Sequence, residues 1–527
     1  MISAIARAPW LSAAAAVVAV LFAAPLVYLV VRSASEGGAF LSALSTGSLG
    51  PLGRSLLLAS SASAACAVIG TGAAWAITRT DLPGRRVFRL LLPLPLVIPS
   101  FIGAFALLAA FAPGGLLEET FGVGWLPAVD GFPGAFAVIT LLSYPFVFLP
   151  VAARLAHLDR SLEESAQLLG RRPLAVFAHV VLPQARSAIV AGALLVFLYA
   201  LSDFGVVQLL RYDTLTRAIY ASRLLDPPLS LTLSLELGLL ALAVVGLERL
   251  AARKGARRDL RRLRDPLVVP LRRWRWPAAG LVTLLVSLAL AAPVAVLVVW
   301  AVRGLVRGST RASALVSNAG DLVGPALNTT LVSVVAAAAA VALVVPIAYL
   351  AVRRRSRVGT LASALVVGGF ALPGLVIALS LVFWTLDAPG PIGALYQTLP
   401  LLVFAYVVHF GAQSMGTAEV AVSSIPRQLD EAALALGARR ARRFLRVELP
   451  LMTPTLLAGA GLVMLSTMKE LPATLLLAPP GFQTLATKIW TATEDAFLAD
   501  ASLAALVLVA LSGVLTWLLV VRRAAAL

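Results

Sequence analysis

Long apolar runs separated by short polar stretches set the pattern of this chain. A helix rises about 1.5 Å per residue and the hydrocarbon core of a bilayer is about 30 Å thick, so about 20 apolar residues in succession are enough to cross it. Runs of that length lie near 11–31, 55–78, 88–111, 134–154, 186–205 and 229–247. Six more lie near 278–301, 327–352, 361–385, 395–417, 451–468 and 500–521. The pattern predicts an all-α polytopic membrane protein with about twelve membrane-spanning helices.

The polar interruptions repeat. Residues 161–183, SLEESAQLLGRRPLAVFAHVVLP, match residues 428–450, QLDEAALALGARRARRFLRVELP, at an offset of 267, which sets Glu164 on Glu431, Ala166 on Ala433, Gly170 on Gly437 and Pro183 on Pro450. Earlier in each half, 54–79 faces 328–353 at an offset of 274, which also sets Trp75 on Tyr349 and Pro99 on Pro373. Later, 214–220 faces 484–490 at an offset of 270. Six spans are repeated in the same order, and because six is even the two halves share one orientation, as parallel repeats about an axis along the membrane normal. The division is therefore a first half over 1–247 with a polar loop at 155–185, a basic linker over 248–277, and a second half over 278–527 with a polar loop at 418–450.

Each polar loop reads as a short helix, a turn and a second short helix. Ser161 with Glu164 three residues on has the form of a capping box, Gly170 suits a left-handed stop, and Pro173 suits the first turn of the next helix. In the second copy Ser424 and Pro426 open the helix and Gly437 ends it. Ser165 and Ala166, like Ala432 and Ala433, leave one face flat enough for another protein to approach closely. Glu164 and Glu431 offer acceptors to a basic partner, and Pro183 and Pro450 mark the return to the membrane. A single such segment reads equally well as an amphipathic connector in the headgroup layer. Two copies at one spacing favour docking.

Composition agrees with a bilayer: of 527 residues 60% are hydrophobic and 13% charged, and the mean hydropathy is +0.94. The net charge of +18 would suit nucleic acid, yet with the N-terminus in the cytoplasm most Lys and Arg fall on cytoplasmic loops, as the positive-inside rule requires. Residues 248–276 hold eleven basic and three acidic side chains and read as a linker resting on anionic headgroups. No nucleic-acid reader fold accompanies them, so no nucleic-acid partner is expected. The lone cysteine, Cys66, excludes an intrachain disulfide. The first apolar run exceeds a signal-peptide core, which favours a retained span.

Candidate chemistry is sparse. Lys254, Lys469 and Lys488 are the only lysines, and none lies in a phosphate-binding loop, so no ATP hydrolysis and no catalytic residues are assigned here. His157, His179 and His409 show no zinc-ligand spacing, and no metal site is assigned; His409 reads as a packing residue. Asp203 and Glu470, matched at the offset of 267 near the outer ends of spans five and eleven, and Glu236 in span six are costly in hydrocarbon unless they face a polar path. With Tyr212 and Asp213 they are the candidate substrate path. Alternatively, Asp203 and Glu470 cap helices or form salt bridges to an external partner, and Glu236 pairs with an arginine. Pro99 and Pro373 are expected to kink the third span of each half and are the candidate gate; ordinary packing irregularity is the alternative.

The pattern E-[SA]-A-x-x-x-G, followed about a dozen residues later by L-P, resembles the EAA loop of permease subunits in bacterial ABC importers, with ESA for EAA in the first copy. STMKELPATLLLAPPGFQTLATKIW (466–490) and LSDFGVVQLLRYDTLTRAIY (201–220) are similar to fused permeases of ferric-iron importers. The resemblance implies two docking helices, carried by Glu164, Ser165, Ala166 and Gly170 and by Glu431, Ala432, Ala433 and Gly437, for two copies of a cytoplasmic ATPase. It also implies an extracytoplasmic solute-binding protein, ATP and Mg bound on the ATPase, no cofactor on this chain, and both termini on the cytoplasmic side of a bacterial inner membrane. Transport would run by alternating access. Ferric iron is the expected cargo, with thiamine, polyamine, sulfate or phosphonate as alternatives. A secondary transporter driven by an ion gradient is the rival class. Ser202-Asp203 faces Lys469-Glu470 across the repeat, which makes the two halves of the path unequal.

Overall fold

The computed structural model describes residues 9–35, 48–111, 116–122, 129–158, 160–255, 267–307, 320–388, 390–437, 439–516 and 518. The helices that frame the site are α1 (Pro9–Ser35), α2 (Leu49–Arg79), α3 (Ser100–Phe111), α4 (Phe132–Ala156), α5 (Arg160–Leu168), α6 (Leu182–Ser202) and α7 (Gly205–Leu209). In the second half they are α8 (Gly320–Ala348), α9 (Gly374–Asp387), α10 (Leu399–Ser423), α11 (Arg427–Ala435), α12 (Leu449–Met468) and α13 (Pro472–Leu477).

Ten helices among the described residues are long and apolar enough to cross a bilayer. The remaining two expected spans, third in each half, are broken: 85–97 meets α3 at 93°, and 357–369 meets α9 at 103°. Prolines explain the breaks. Pro93, Pro95 and Pro99 cannot donate backbone hydrogen bonds, and the residue before Pro99, Ile98, is extended at ψ 118°, as sterics before a proline favour. Pro373 is itself extended, φ −56° and ψ 143°. At the first break the carbonyl of Leu92 accepts a 2.8 Å hydrogen bond from the Tyr144 hydroxyl on α4, which meets the requirement that backbone groups inside a membrane protein find a partner.

The chain forms two compact units. One comprises 42–226 and 239–312. In it α4 lies against α2 and α6, and glycines set the spacing. A methyl added to Gly70 would fall 2.8 Å from the Val147 side chain, and one added to Gly192 2.7 Å from the Val147 Cα. Small residues at such crossings are the usual means of close packing between membrane helices. Seventh-span residues belong to this unit: the Trp300 indole donates to the Ala109 carbonyl at 3.0 Å.

The other unit comprises 1–41, 227–238 and 313–527. Here α10 packs against α8 and α12. First-span residues belong to it: Phe22 of α1, 1% exposed, sits over Gly411, where an added methyl would meet its ring at 2.6 Å. Tyr28 donates to Asp387 at 2.7 Å, and Arg32 lies 3.5 Å from the same carboxylate. Thus the repeats follow the chain, whereas packing places the leading span of each half among helices of the other half.

Candidate coupling tips and bent-helix carboxylates

The two polar loops fold alike. At the end of α5, Gly170 is left-handed at φ +78°; its amide donates to the Gln167 carbonyl at 2.9 Å and that of Arg171 to Ala166 at 3.1 Å, the paired bonds of a Schellman stop. Gly437 follows α11 at φ +74°. A side chain at either glycine would strain the backbone. One expectation shifts: α5 begins at Arg160, so Ser161 lies within the first turn, where its carbonyl accepts from the Ser165 hydroxyl at 2.8 Å.

Pro173 starts the second short helix. That helix passes through a π-turn at Phe177–Val181 straight into α6, and the second copy does the same through Phe444–Glu448 into α12. Pro183 and Pro450 therefore occupy the first turns of α6 and α12 rather than breaking the chain. The wider π-turn gives the proline ring room against the preceding carbonyls.

At the tips Leu168, Leu169 and Leu436 are 89%, 84% and 87% exposed, and Leu169 and Leu436 match at the offset of 267. Ser165, Glu431 and Ala432 are exposed, Glu164 and Ala166 are half-buried, and Ala433 is buried. Exposed apolar side chains rimmed by polar ones suit contact with another protein.

The acid that anchors the first tip is Glu163, which sequence reasoning passed over in favour of Glu164. Its carboxylate meets the Arg79 guanidinium at 2.7 Å, with the two side chains 4% and 1% exposed, and Arg79 also donates to the Leu155 carbonyl at 3.0 Å. The sequence signal was present, because Arg79 and Arg353 close the matched blocks 54–79 and 328–353. Arg353 donates to the Ile425 carbonyl at 3.1 Å.

Behind the tips the repeats diverge. Trp75 and Phe177 meet edge to face at 5.3 Å in the first copy. Their counterparts are Tyr349 and Phe444, and in that copy Arg443 donates to the Tyr349 hydroxyl at 3.2 Å and lies 2.7 Å from the buried Glu448 carboxylate. The end of the basic linker is pinned beside the first tip: the Val269 amide donates to the Arg79 carbonyl at 2.8 Å, and that of Leu271 to the Asp81 carboxylate at 2.8 Å. Linker residues 256–266 lie outside the described residues.

Asp203 ends α6 and accepts from the Val206 amide at 2.8 Å, capping α7. Glu470 follows α12 and accepts from the Ala473 amide at 3.2 Å, capping α13. Asp203 also receives a hydrogen bond from Ser100. Tyr212 is buried; its hydroxyl donates to the Arg54 carbonyl at 3.4 Å, and its ring meets Phe132 at 5.8 Å. Burial holds the Tyr212 hydroxyl above its usual pKa against the opposing pull of Arg54. Asp213 is exposed and paired with Arg217, and its carbonyl accepts from Arg54 at 2.7 Å. Glu236 is half-buried on the helix Pro227–Gly255. Pro99 and Pro373 stand at the two bends. His409 lies beside Phe410, ring centroids 4.3 Å apart and planes tilted by 52°. Among the described residues no three of His, Cys, Asp and Glu gather to hold a metal ion.

Such a chain is a duplicated, multi-pass membrane protein with a matching helix–turn tip in each repeat. It belongs to the family described as the binding-protein-dependent transport system inner membrane component, whose sequence profile matches residues 67–256 and again 344–525. It is 29% identical over 459 residues to a Fe(3+)-transport system permease protein, FbpB 2, of Haemophilus influenzae, covering 86% of this chain and 85% of the relative. It is 31% identical over 220 residues to the putrescine transport system permease protein PotI of Escherichia coli, covering 41% and 75%. To the sulfate transport system permease protein CysT of Salmonella typhimurium it is 33% identical over 152 residues, covering 29% and 55%. Members of this family are components of transporters.

Proposed function

We propose that this permease imports ferric iron, delivered by an extracytoplasmic binding protein and driven by two copies of a cytoplasmic ATPase that dock on the tips around Glu164 and Glu431. The observation that supports the cargo is the match to the Fe(3+)-transport permease FbpB 2, which covers 86% of this chain and 85% of the relative. Both termini and both tips would face the cytoplasm, in keeping with the basic loops. Nucleotide-driven closure of the ATPases would draw α5 and α11 together, and the bends at Pro99 and Pro373 would let the path open outward. ATP and Mg act on the partner. Ferric iron is a hard cation that prefers oxygen donors, so the exposed carboxylate of Asp213 is the group offered to it on entry.

The test is ATP-dependent uptake of radiolabelled ferric iron into liposomes holding the chain, its ATPase and its binding protein. Iron accumulation at the expense of ATP supports the reading. Uptake of putrescine or sulfate, with none of iron, replaces the cargo and keeps the mechanism.

A further inference from the structure

The two repeats solve one packing problem with different pairs of residues. Ser100 and Gly374 occupy the same place, each directly after the matched proline of a bend. Asp203 and Glu470 occupy the same place, each at the end of a long helix and each capping the short helix that follows. In the first repeat the shorter carboxylate is met by the Ser100 hydroxyl. In the second the longer carboxylate lies over the bare Cα of Gly374, where an added methyl would come within 2.6 Å of its Oε1 and 3.3 Å of its Cδ. Aspartate goes with serine and glutamate with glycine, so the carboxylate reaches the bend in both cases.

We infer that Asp203 and Glu470 are positioning residues of the transport cycle: each ties the bend of the broken third span to the short helix after the fifth span of its repeat, so that the two elements move as one. The inference rests on the permease reading but not on the cargo. A carboxylate in a membrane protein is costly unless its oxygens are matched. Here one oxygen is held by an amide of the following helix and the group is seated against the bend, which gives the cost a structural return. A cap alone would require only the amide; the paired Asp–Ser and Glu–Gly choices require the bend as well.

The test uses the full chain in lipid nanodiscs and follows backbone hydrogen exchange, a readout that needs neither ATPase nor iron. Ser100→Gly is expected to raise exchange about tenfold in two separate segments, 94–104 and 203–210. Adding Asp203→Glu to it is expected to restore both segments, because the pair then reproduces Gly374 and Glu470. In the second repeat Glu470→Asp is expected to loosen 370–378 and 468–477, and Gly374→Ser added to it to restore them. Changes confined to 203–210, or double variants no better than the single ones, overturn the inference, since a local cap predicts the first and an unrelated packing role the second. If the rescue holds while the assembled complex shows no ATP-driven uptake, the latch stands and the importer reading fails.

Discussion

The Arg79 guanidinium and the Glu163 carboxylate meet at 2.7 Å between side chains that are almost wholly buried. The contact joins the end of α2, a helix long and apolar enough to cross a bilayer, to α5 of the first tip. Removing one partner of a buried pair leaves an uncompensated charge and costs about 3–5 kcal/mol. Glu163→Ala is therefore expected to lower the thermal unfolding midpoint in detergent and to weaken stimulation of the partner ATPase. Glu164→Ala, half-buried beside it, is expected to leave the midpoint unchanged. Equal loss in both variants would refute the distinction.

Gly170 and Gly437 hold φ +78° and +74°. Alanine in the left-handed region costs about 1 kcal/mol or more, and at a helix stop that cost falls on the geometry of the tip. Gly170→Ala and Gly437→Ala are expected to keep the protein folded and to lower ATPase stimulation several-fold, with Gly170→Asn retaining more activity because asparagine tolerates this conformation. The readout is ATP hydrolysis by the reconstituted complex.

The repeats share a buried hydrogen bond far from the tips: the Leu215 amide donates to the Ser55 hydroxyl at 2.8 Å, and the Leu485 amide to the Thr329 hydroxyl at 2.8 Å. An amide left buried without an acceptor costs about 1–3 kcal/mol. Ser55→Ala is expected to destabilise the chain by that amount and Ser55→Thr to be tolerated, since threonine does the same work in the second repeat. Thermal unfolding of the two variants distinguishes them.

Much of this architecture is local in origin and therefore legible in the chain. The apolar spans and the glycine stops at Gly170 and Gly437 depend on residues near one another in sequence, and the duplication shows directly as matched blocks at offsets of 267, 270 and 274. Pro99 and Pro373 marked the irregular spans, although not bends of 93° and 103°, because a proline removes a bond without fixing an angle. Arg79 and Glu163 are 84 residues apart, and hydropathy carries no signal for such a pairing. Nor does it assign neighbours, so the seating of Phe22 over Gly411 emerged only in the fold. Asp203 and Glu470 were legible as costly charges with caps among their alternatives, while their link to the bends required the geometry of Ser100 and Gly374.

Pro99 and Pro373 give a further expectation. Alanine restores a donor and a residue that tolerates helix, so Pro99→Ala is expected to reduce the bend between 85–97 and α3. Distances between spin labels at positions 88 and 108 should lengthen, and transport should fall. An unchanged distance would assign the bend to tertiary packing instead.

The most direct measurement compares ATP-driven uptake of radiolabelled ferric iron by the intact chain with that by Glu164→Arg plus Glu431→Arg, each reconstituted in liposomes with the ATPase and the binding protein. Uptake that requires ATP and collapses in the double variant, while that variant remains folded in the membrane, is the predicted result. Uptake driven by an ion gradient with no ATPase present, and unaffected by the two substitutions, would contradict it.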